Sequence, residues 1–356
     1  MKKLLCIILS IVMIVGILAL SGCAGCTANN TDNTPSDNTP GDNTPGDNTP
    51  GDNTPATLKF GMGVAISTSA SDATPDENGT GEVDSTAAVI LVDKDGKVVS
   101  CKIDVAQIEA KWTDEGKAVA TTDFRTKGEK GDAYGMSRIG KTEWYLQAAA
   151  FEAIVVGKTL DEIKALVAED GKGTADVKAG CTITISEFVK AIEKAFANLA
   201  DSTATADSTL QLGMATEQTL KDFDTEKVTD GSNEIDTTIF ATAVDADGKI
   251  QAVDTDCVQV EFTFTGVGTS TFNAEQEVLS KRQKGDAYGM SRIGKTEWYA
   301  QADAFETQCI GKTAAEVAGL LGEDGLHGTD AVKAAGCSIK IHGFVAAAAK
   351  TIPAAE

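Results

Sequence analysis

Histidine is nearly missing from this chain. Its 356 residues include two, His327 and His342, both near the C-terminal end. Basic residues are also scarce. Lys and Arg number 31 against 53 Asp and Glu, which leaves a formal net charge of −22. Nucleic-acid phosphates are held by Lys and Arg, so nucleic acid is excluded as a partner. Acidity of this size mainly keeps a protein soluble. The five cysteines beyond the N-terminal region, Cys101, Cys181, Cys257, Cys309 and Cys337, show neither a CxxC pair nor zinc spacing. No metal site is expected.

What the chain does have is a repeat. KGDAYGMSRIGKTEWY stands at 130–145 and again, letter for letter, at 284–299. Each copy continues into Gln-Ala-x-Ala-Phe-Glu, at 147–152 and 301–306. Weaker echoes flank it: LKFGM at 58–62 and LQLGM at 210–214, DKDGK at 93–97 and DADGK at 245–249, AGCTI at 179–183 and AGCSI at 335–339. The chain is thus one domain of about 145 residues made twice, an ordinary domain size. The first copy has no histidine. A His-based triad or metal site shared by both copies is excluded, and no nucleophile–base pair is visible in both. No catalytic residue is assigned, and an enzyme is not the favoured reading. Retention of polar residues such as Asp132, Tyr134, Arg138, Lys141 and Glu143 while their surroundings drifted suggests a shared site. Recent partial gene conversion would leave the same trace.

The first residues read as an export leader. Lys2 and Lys3 precede an apolar run from Leu4 to Leu20, and Leu20-Ser21-Gly22-Cys23 follows. The run is short for a membrane span and ends at small residues, so residues 1–22 are set apart from the fold. The ending resembles a bacterial lipobox. That resemblance implies lipid on Cys23 and a protein held at the outer face of a bacterial membrane. Residues 23–57 repeat Asp-Asn-Thr-Pro. Pro lacks an amide hydrogen and Asp and Asn favour turns, so this segment is expected to be an extended acidic spacer. Two repeat domains, 58–203 and 207–356, then follow, and each is expected to fold alone.

Within a repeat, Ala87–Val92 and Lys97–Val105 read as strands joined at Asp93-Lys94-Asp95-Gly96, a hairpin signal. The same D-x-D-G string opens calcium loops, but the later ligands are missing. A third strand is expected near Ala106–Trp112, or Val258–Phe264 in the second copy. Trp144, Ala148, Phe151 and Val155 share one helical face, with Gly157 beyond. Thr159 is placed to cap a second helix. Cys181–Ile185 reads as a short strand. A last helix turns Phe188, Ile192, Phe196 and Leu199 inward. The fold class is α+β: two tandem repeats, each a small antiparallel sheet with helices packed on one side. Buried free thiols are expected, with Cys101–Cys181 and Cys257–Cys337 disulfides as the alternative.

Two motifs compete for the site. Gly135 to Thr142 fits the pattern G-x-x-x-x-G-K-[ST], as does Gly289 to Thr296. A nucleotide-binding loop needs an entering strand, and the polar stretch Thr121–Lys130 supplies none. Free amides at a helix start still attract anions. The loop candidates are therefore Tyr134, Arg138, Gly140, Lys141 and Thr142, with Tyr288, Arg292, Gly294, Lys295 and Thr296. The structural alternative is that Asp132 and Tyr134 pin the loop while Arg138 and Glu143 pair.

The second motif is Asp176-Val177-Lys178-Ala179-Gly180-Cys181-Thr182, before an amphipathic helix and after hairpin arms around Asp-Gly-Lys. It resembles the FMN-binding domain family of exported lipoproteins and membrane electron-transfer subunits, whose pattern is Asp-x-x-[Ser/Thr]-Gly-Ala-[Ser/Thr]. The resemblance covers about half of each repeat. It implies FMN on the Thr182 hydroxyl through a phosphoester, with Asp176 and Gly180 matching. In the second copy it implies Ser338, with Gly336 matching. Ala179 and Ala335 replace the Ser/Thr of the pattern, and Cys181 and Cys337 replace its Ala. Two functions stay open: a lipid-anchored module presenting the duplicated loop to a small anionic ligand, a wall polymer or a partner, and a flavin electron-transfer lipoprotein with a redox partner.

Overall fold

The structure, a computed structural model, describes residues 56–352. The leader 1–22, Cys23 and the spacer up to Pro55 lie outside the described residues. In the first half, β1 (Lys59–Ser71), β2 (Gly79–Val92) and β3 (Val98–Trp112) form an antiparallel meander, with the two-residue β4 (Ala118–Val119) beside β3. Helices α1 (Lys127–Lys130), α2 (Trp144–Val155), α3 (Leu160–Lys164), α4 (Ala175–Lys178) and α5 (Ser186–Ala197) follow, and β5 (Ala200–Asp201) returns to the β1 edge. The second half repeats this plan. Strands β6 (Thr209–Lys221), β7 (Gly231–Val244) and β8 (Ile250–Phe264) precede α6 (Lys281–Lys284), α7 (Trp298–Cys309), α8 (Ala314–Val317), α9 (Asp330–Ala334) and α10 (His342–Ala349). The expected α+β class is observed, with helices against one face of each sheet.

Alternation along the strands decides the layers. On β2, Val83, Ala87, Val89 and Leu91 share a core with Met214, Ile235 and Ile239 of the second sheet. Ala88 points the other way, into a core with Trp144, Phe151, Phe188 and Ile192. The second half does the same, with Phe240 facing Trp298, Phe305 and Phe344. The order is helices, sheet, sheet, helices. Each sheet is apolar on both faces and the inner faces cover one another, so the two halves share a core, which weighs against the expectation that each folds alone. Trp112 and Phe264 stack across this seam with ring centroids 5.0 Å apart, and Trp112 Nε1 donates to Gly268 O at 2.9 Å.

The expected helix with Trp144, Ala148, Phe151 and Val155 on one face is observed as α2, and Thr159 caps α3 in a capping box with Glu162. The hairpin turn is also found. Asp93 Oδ1 accepts from the amides of Asp95 and Lys97, and Gly96 has φ +76°. Other details differ. Ala106–Trp112 and Val258–Phe264 are not separate strands but the far ends of β3 and β8. The third strand of each sheet is the first in sequence, β1 or β6. Cys181–Ile185 is not a strand; Thr184 only bridges to Lys172. All five cysteines of the described residues are free thiols.

The match of LKFGM to LQLGM also shifts. Gly63 pairs with Ala88 and Gly213 with Phe240, and Ala88 and Phe240 stand equally far before the Asp-x-Asp-Gly turns. Gly63, not Gly61, is therefore the counterpart of Gly213. Both lie against the last long helix of their half, where a Cβ would collide with the carbonyl of Ala191 or Ala347. The slip is two residues, so the inward face is unchanged.

Candidate functional site

The duplicated block begins at a short helix tied to the sheet. Thr126 caps α1 and donates from Oγ1 to Asp104 Oδ2 at 2.6 Å, while the Gly128 amide donates to Asp104 Oδ1 at 2.9 Å. Burial raises the Asp104 pKa, and these hydrogen bonds work against that rise. In the second half, Ser280 and Asp256 repeat the pair.

The chain then makes two tight 3-10 turns, Gly131–Tyr134 and Met136–Ile139, ended by Gly135 and Gly140 at φ +87° and +71°. Gly289 and Gly294 take +85° and +73°. Other residues rarely tolerate that region. The two glycines of the nucleotide-loop pattern thus serve left-handed turns, and α1, not a strand, leads into them. The loop amides are engaged from within. Gly140 N donates to Ser137 O at 3.0 Å and Lys141 N to Met136 O at 3.2 Å. Met136 N and Ser137 N donate to the Glu143 carboxylate at 3.0 and 2.9 Å. Hydrogen bonds from Ser137 and neighbouring amides hold the Glu143 carboxyl below the usual range. Gly294, Lys295 and Glu297 repeat every one of these contacts. Glu143 therefore binds the loop backbone instead of pairing with Arg138. Asp132 does pin the loop, accepting from Tyr145 Oη at 3.2 Å.

A residue outside the expected set joins the two motifs. Gln147, on α2, is 1% exposed. Its Nε2 donates to Thr142 O at 2.7 Å, which fixes the amide. Its Oε1 then accepts from Thr182 N at 2.7 Å and Thr182 Oγ1 at 2.9 Å. Gln301 does the same with Thr296 O, at 2.7 Å, and with Ser338 N and Oγ, at 2.8 and 2.9 Å. The clamp sets the loop and the AGC[TS] segment side by side. Gln147 was visible in the sequence as part of the duplicated Gln-Ala-x-Ala-Phe-Glu, but nothing there told a buried glutamine from a solvent-facing one.

Between the two motifs lies a cavity of about 610 Å³. Tyr134, Lys141 and Thr182 border it together with Lys127, Lys172 and Trp144. Lys127 lies 3.4 Å from Asp84 and 5.7 Å from the Tyr134 ring centre. Trp144 stands edge-on to Phe188, ring centres 5.8 Å apart. In the second half a cavity of about 530 Å³ is bordered by Tyr288, Lys295, Ser338, Lys281 and Trp298. Thr182 and Ser338 are exposed, so their hydroxyls can meet a ligand.

The other expected residues lie apart from these walls. Arg138 and Arg292 are exposed and fold back over Gly135 and Gly289. Asp176 is exposed on α4 and borders neither cavity. Gly180 packs near Ala150, and Gly336, at φ +110°, near Ala304. Gly140 and Gly294 end the second turn of each loop, the Thr142 and Thr296 carbonyls accept from the buried glutamines, and none of the four borders a cavity. Among the described residues no group of His, Cys, Asp and Glu is placed to hold a metal ion, and no helix is long and apolar enough to cross a membrane. Comparison with protein-family models, with curated proteins and with solved structures gives no match for this chain.

Proposed function

We propose that each half is a binding module holding one small anionic ligand in the cavity beneath the duplicated loop. The observation that carries this reading is the pairing of the two cavities in a strongly acidic protein. Both gather lysines on an aromatic floor: Lys127, Lys141 and Trp144 in one, Lys281, Lys295 and Trp298 in the other. Volumes of this order suit small-molecule sites, which favours a small ligand over a wall polymer or a partner protein. Lysine acts on phosphate as a point charge. Calorimetric titration of the purified protein with inorganic phosphate and with FMN tests the reading. Two sites are expected, one of them lost in Lys141→Ala and the other in Lys295→Ala. A wild-type protein that takes up neither anion would end it.

A second reading is favoured by the position of Thr182 and Ser338. Each presents an exposed hydroxyl, oriented by a buried glutamine, to a lysine-bearing cavity with aromatic walls. These residues fit an FMN phosphate joined to the hydroxyl, with Lys141 or Lys295 beside it. Bound flavin would supply one- and two-electron transfer. Protein purified from its own host should then stay yellow when denatured, and Thr182→Ala together with Ser338→Ala should be colourless. Colourless wild-type protein leaves the binding module alone. Both readings place the protein outside the cytoplasm, tethered by lipid on Cys23. Cys23→Ala should then leave the precursor unlipidated, and normal processing of that variant would contradict the tether.

A further inference from the structure

Each half repeats a second polar set that lies outside the duplicated loop. Glu82-Val83-Asp84 on β2 recurs as Glu234-Ile235-Asp236 on β7, and Lys127 on α1 recurs as Lys281 on α6. Alternation puts the glutamate and the aspartate of each strand on one face, the face turned toward the helices. Lys127 Nζ lies 3.4 Å from Asp84 Oδ1, and Lys281 Nζ lies 3.3 Å from Asp236 Oδ1.

These pairs are enclosed. The lysine side chain is 13% exposed in both halves, and the aspartate side chains are 22% and 24% exposed. Among the described residues no other Lys–Asp pair is so withdrawn from solvent. Each lysine also lies over a tyrosine ring of the loop, 5.7 Å from the Tyr134 centre and 5.8 Å from the Tyr288 centre. Asp84 Oδ1 is buried and accepts no hydrogen bond. An ion pair taken out of water loses solvation that its own attraction often fails to repay. A reaction that removes both charges is favoured there as it is not at the surface. Glu82 and Glu234 stand beside the pairs. Burial, and then the carboxylate of the neighbouring aspartate, raises the pKa of each. Each therefore holds a proton more readily than a free glutamate and can pass it on.

We propose that Lys127 and Asp84, and likewise Lys281 and Asp236, join in an intramolecular isopeptide bond, with Glu82 and Glu234 as the proton shuttles. The step balances without a co-reactant. The lysine ammonium gives one proton to the aspartate, which leaves an amine facing a carboxylic acid. The amine lone pair adds to the carboxyl carbon and the C–N bond forms. The glutamate takes a proton from that nitrogen on one oxygen and gives its own to the leaving hydroxyl from the other. The C–O bond breaks, one water departs, and the glutamate is restored. The Nζ–Oδ1 distances bring the nitrogen close to the carbon it attacks, as oriented intramolecular reactions require. The bond ties α1, the root of the duplicated loop, to the sheet in a protein whose described cysteines are all free thiols. It consumes Lys127 and Lys281 but leaves Lys141 and Lys172 at the first cavity and Lys295 and Lys340 at the second. It therefore stands or falls apart from anion binding.

Mass spectrometry of tryptic peptides from the denatured full-length protein tests the proposal. Trypsin is expected not to cut after Lys127 or Lys281. It should release two branched peptides, one joining the segments of Asp84 and Lys127 and one joining those of Asp236 and Lys281. Each should be lighter by one water than the sum of its parts. Glu82→Gln should lose or greatly slow the first bond while the second forms as in the wild type, which shows that the variant has folded. Asp84→Ala should lose the first bond alone. Linear peptides from the wild-type protein, with cutting after Lys127 and Lys281, overturn the proposal and leave two ion pairs. A first bond that forms at the wild-type rate in Glu82→Gln overturns the role given to the glutamate.

Discussion

At the scale of single residues, the site depends on buried polar groups that bind backbone. Gln147 holds a loop carbonyl with one end of its amide and the Thr182 amide and hydroxyl with the other. Gln147→Ala leaves the Thr142 carbonyl and the Thr182 amide without their partner. The expected loss is about 1–3 kcal/mol of stability, the usual penalty for orphaned buried groups. Denaturant unfolding measures it, and an unchanged midpoint would contradict the clamp. Glu143 and Glu297 act through charge. Their pKa values are lowered in the folded protein by hydrogen bonds from the loop, so the native state favours the ionised form. That contribution is complete above the ordinary Glu range and is lost as pH falls through the lowered folded values. Hydrogen exchange at the Met136 and Ser137 amides should therefore quicken in acid once the base-catalysed background is allowed for. Glu143→Gln should remove most of that dependence at the first loop only.

At the scale of elements, the close fit of the last long helix on its sheet depends on glycine, Gly61 and Gly63 in the first half and Gly213 in the second. Gly63→Val and Gly213→Val should each destabilise by about 1–3 kcal/mol, since an added side chain must displace helix backbone rather than a flexible neighbour. Thermal unfolding reads the effect, and Gly96→Ala in the exposed hairpin turn serves as a comparison for positive φ alone. The slip between Gly61 and Gly63 also shows where sequence reading fails. Two glycines two apart give equal matches to one glycine in the other copy, and only pairing with β2 separates them. Helix α2 was legible because its apolar spacing, a turn of glycine beyond it and its repetition agree. Strand β1 was not, because Lys59-Phe-Gly-Met-Gly-Val-Ala mixes faces that are both buried. The nucleotide-loop pattern occurs here without a nucleotide loop for a physical reason. Left-handed turns and phosphate cradles both call for glycine at similar spacing, and only the hydrogen-bond partners of the amides tell them apart. The two motifs of the site could be named from sequence. Their meeting at Gln147 could not, since it depends on which side chains face one another.

At the scale of the whole molecule, the shared seam binds the halves into one body. Residues 58–203 alone would expose Val83, Val89, Leu91 and Trp112, all buried in the intact chain. An apolar face of this kind drives association. The isolated first half is expected to self-associate, using its bare face where the second half would sit. Sedimentation should show a dimer or larger species. A monomer that unfolds cooperatively would contradict the seam as described.

The same seam sets a timetable for the growing polypeptide. Strands β1 to β3 emerge before β6 to β8, whether from the ribosome or, on the export reading, from a translocation channel. Until the second set follows, the first sheet has its outer helices but no cover for its inner face. During that interval it resembles an aggregation-prone intermediate more than a finished domain. Chaperone demand should therefore fall on the interval between the two copies, and stop codons placed there should give products that precipitate, whereas missense changes in the exposed loops should not.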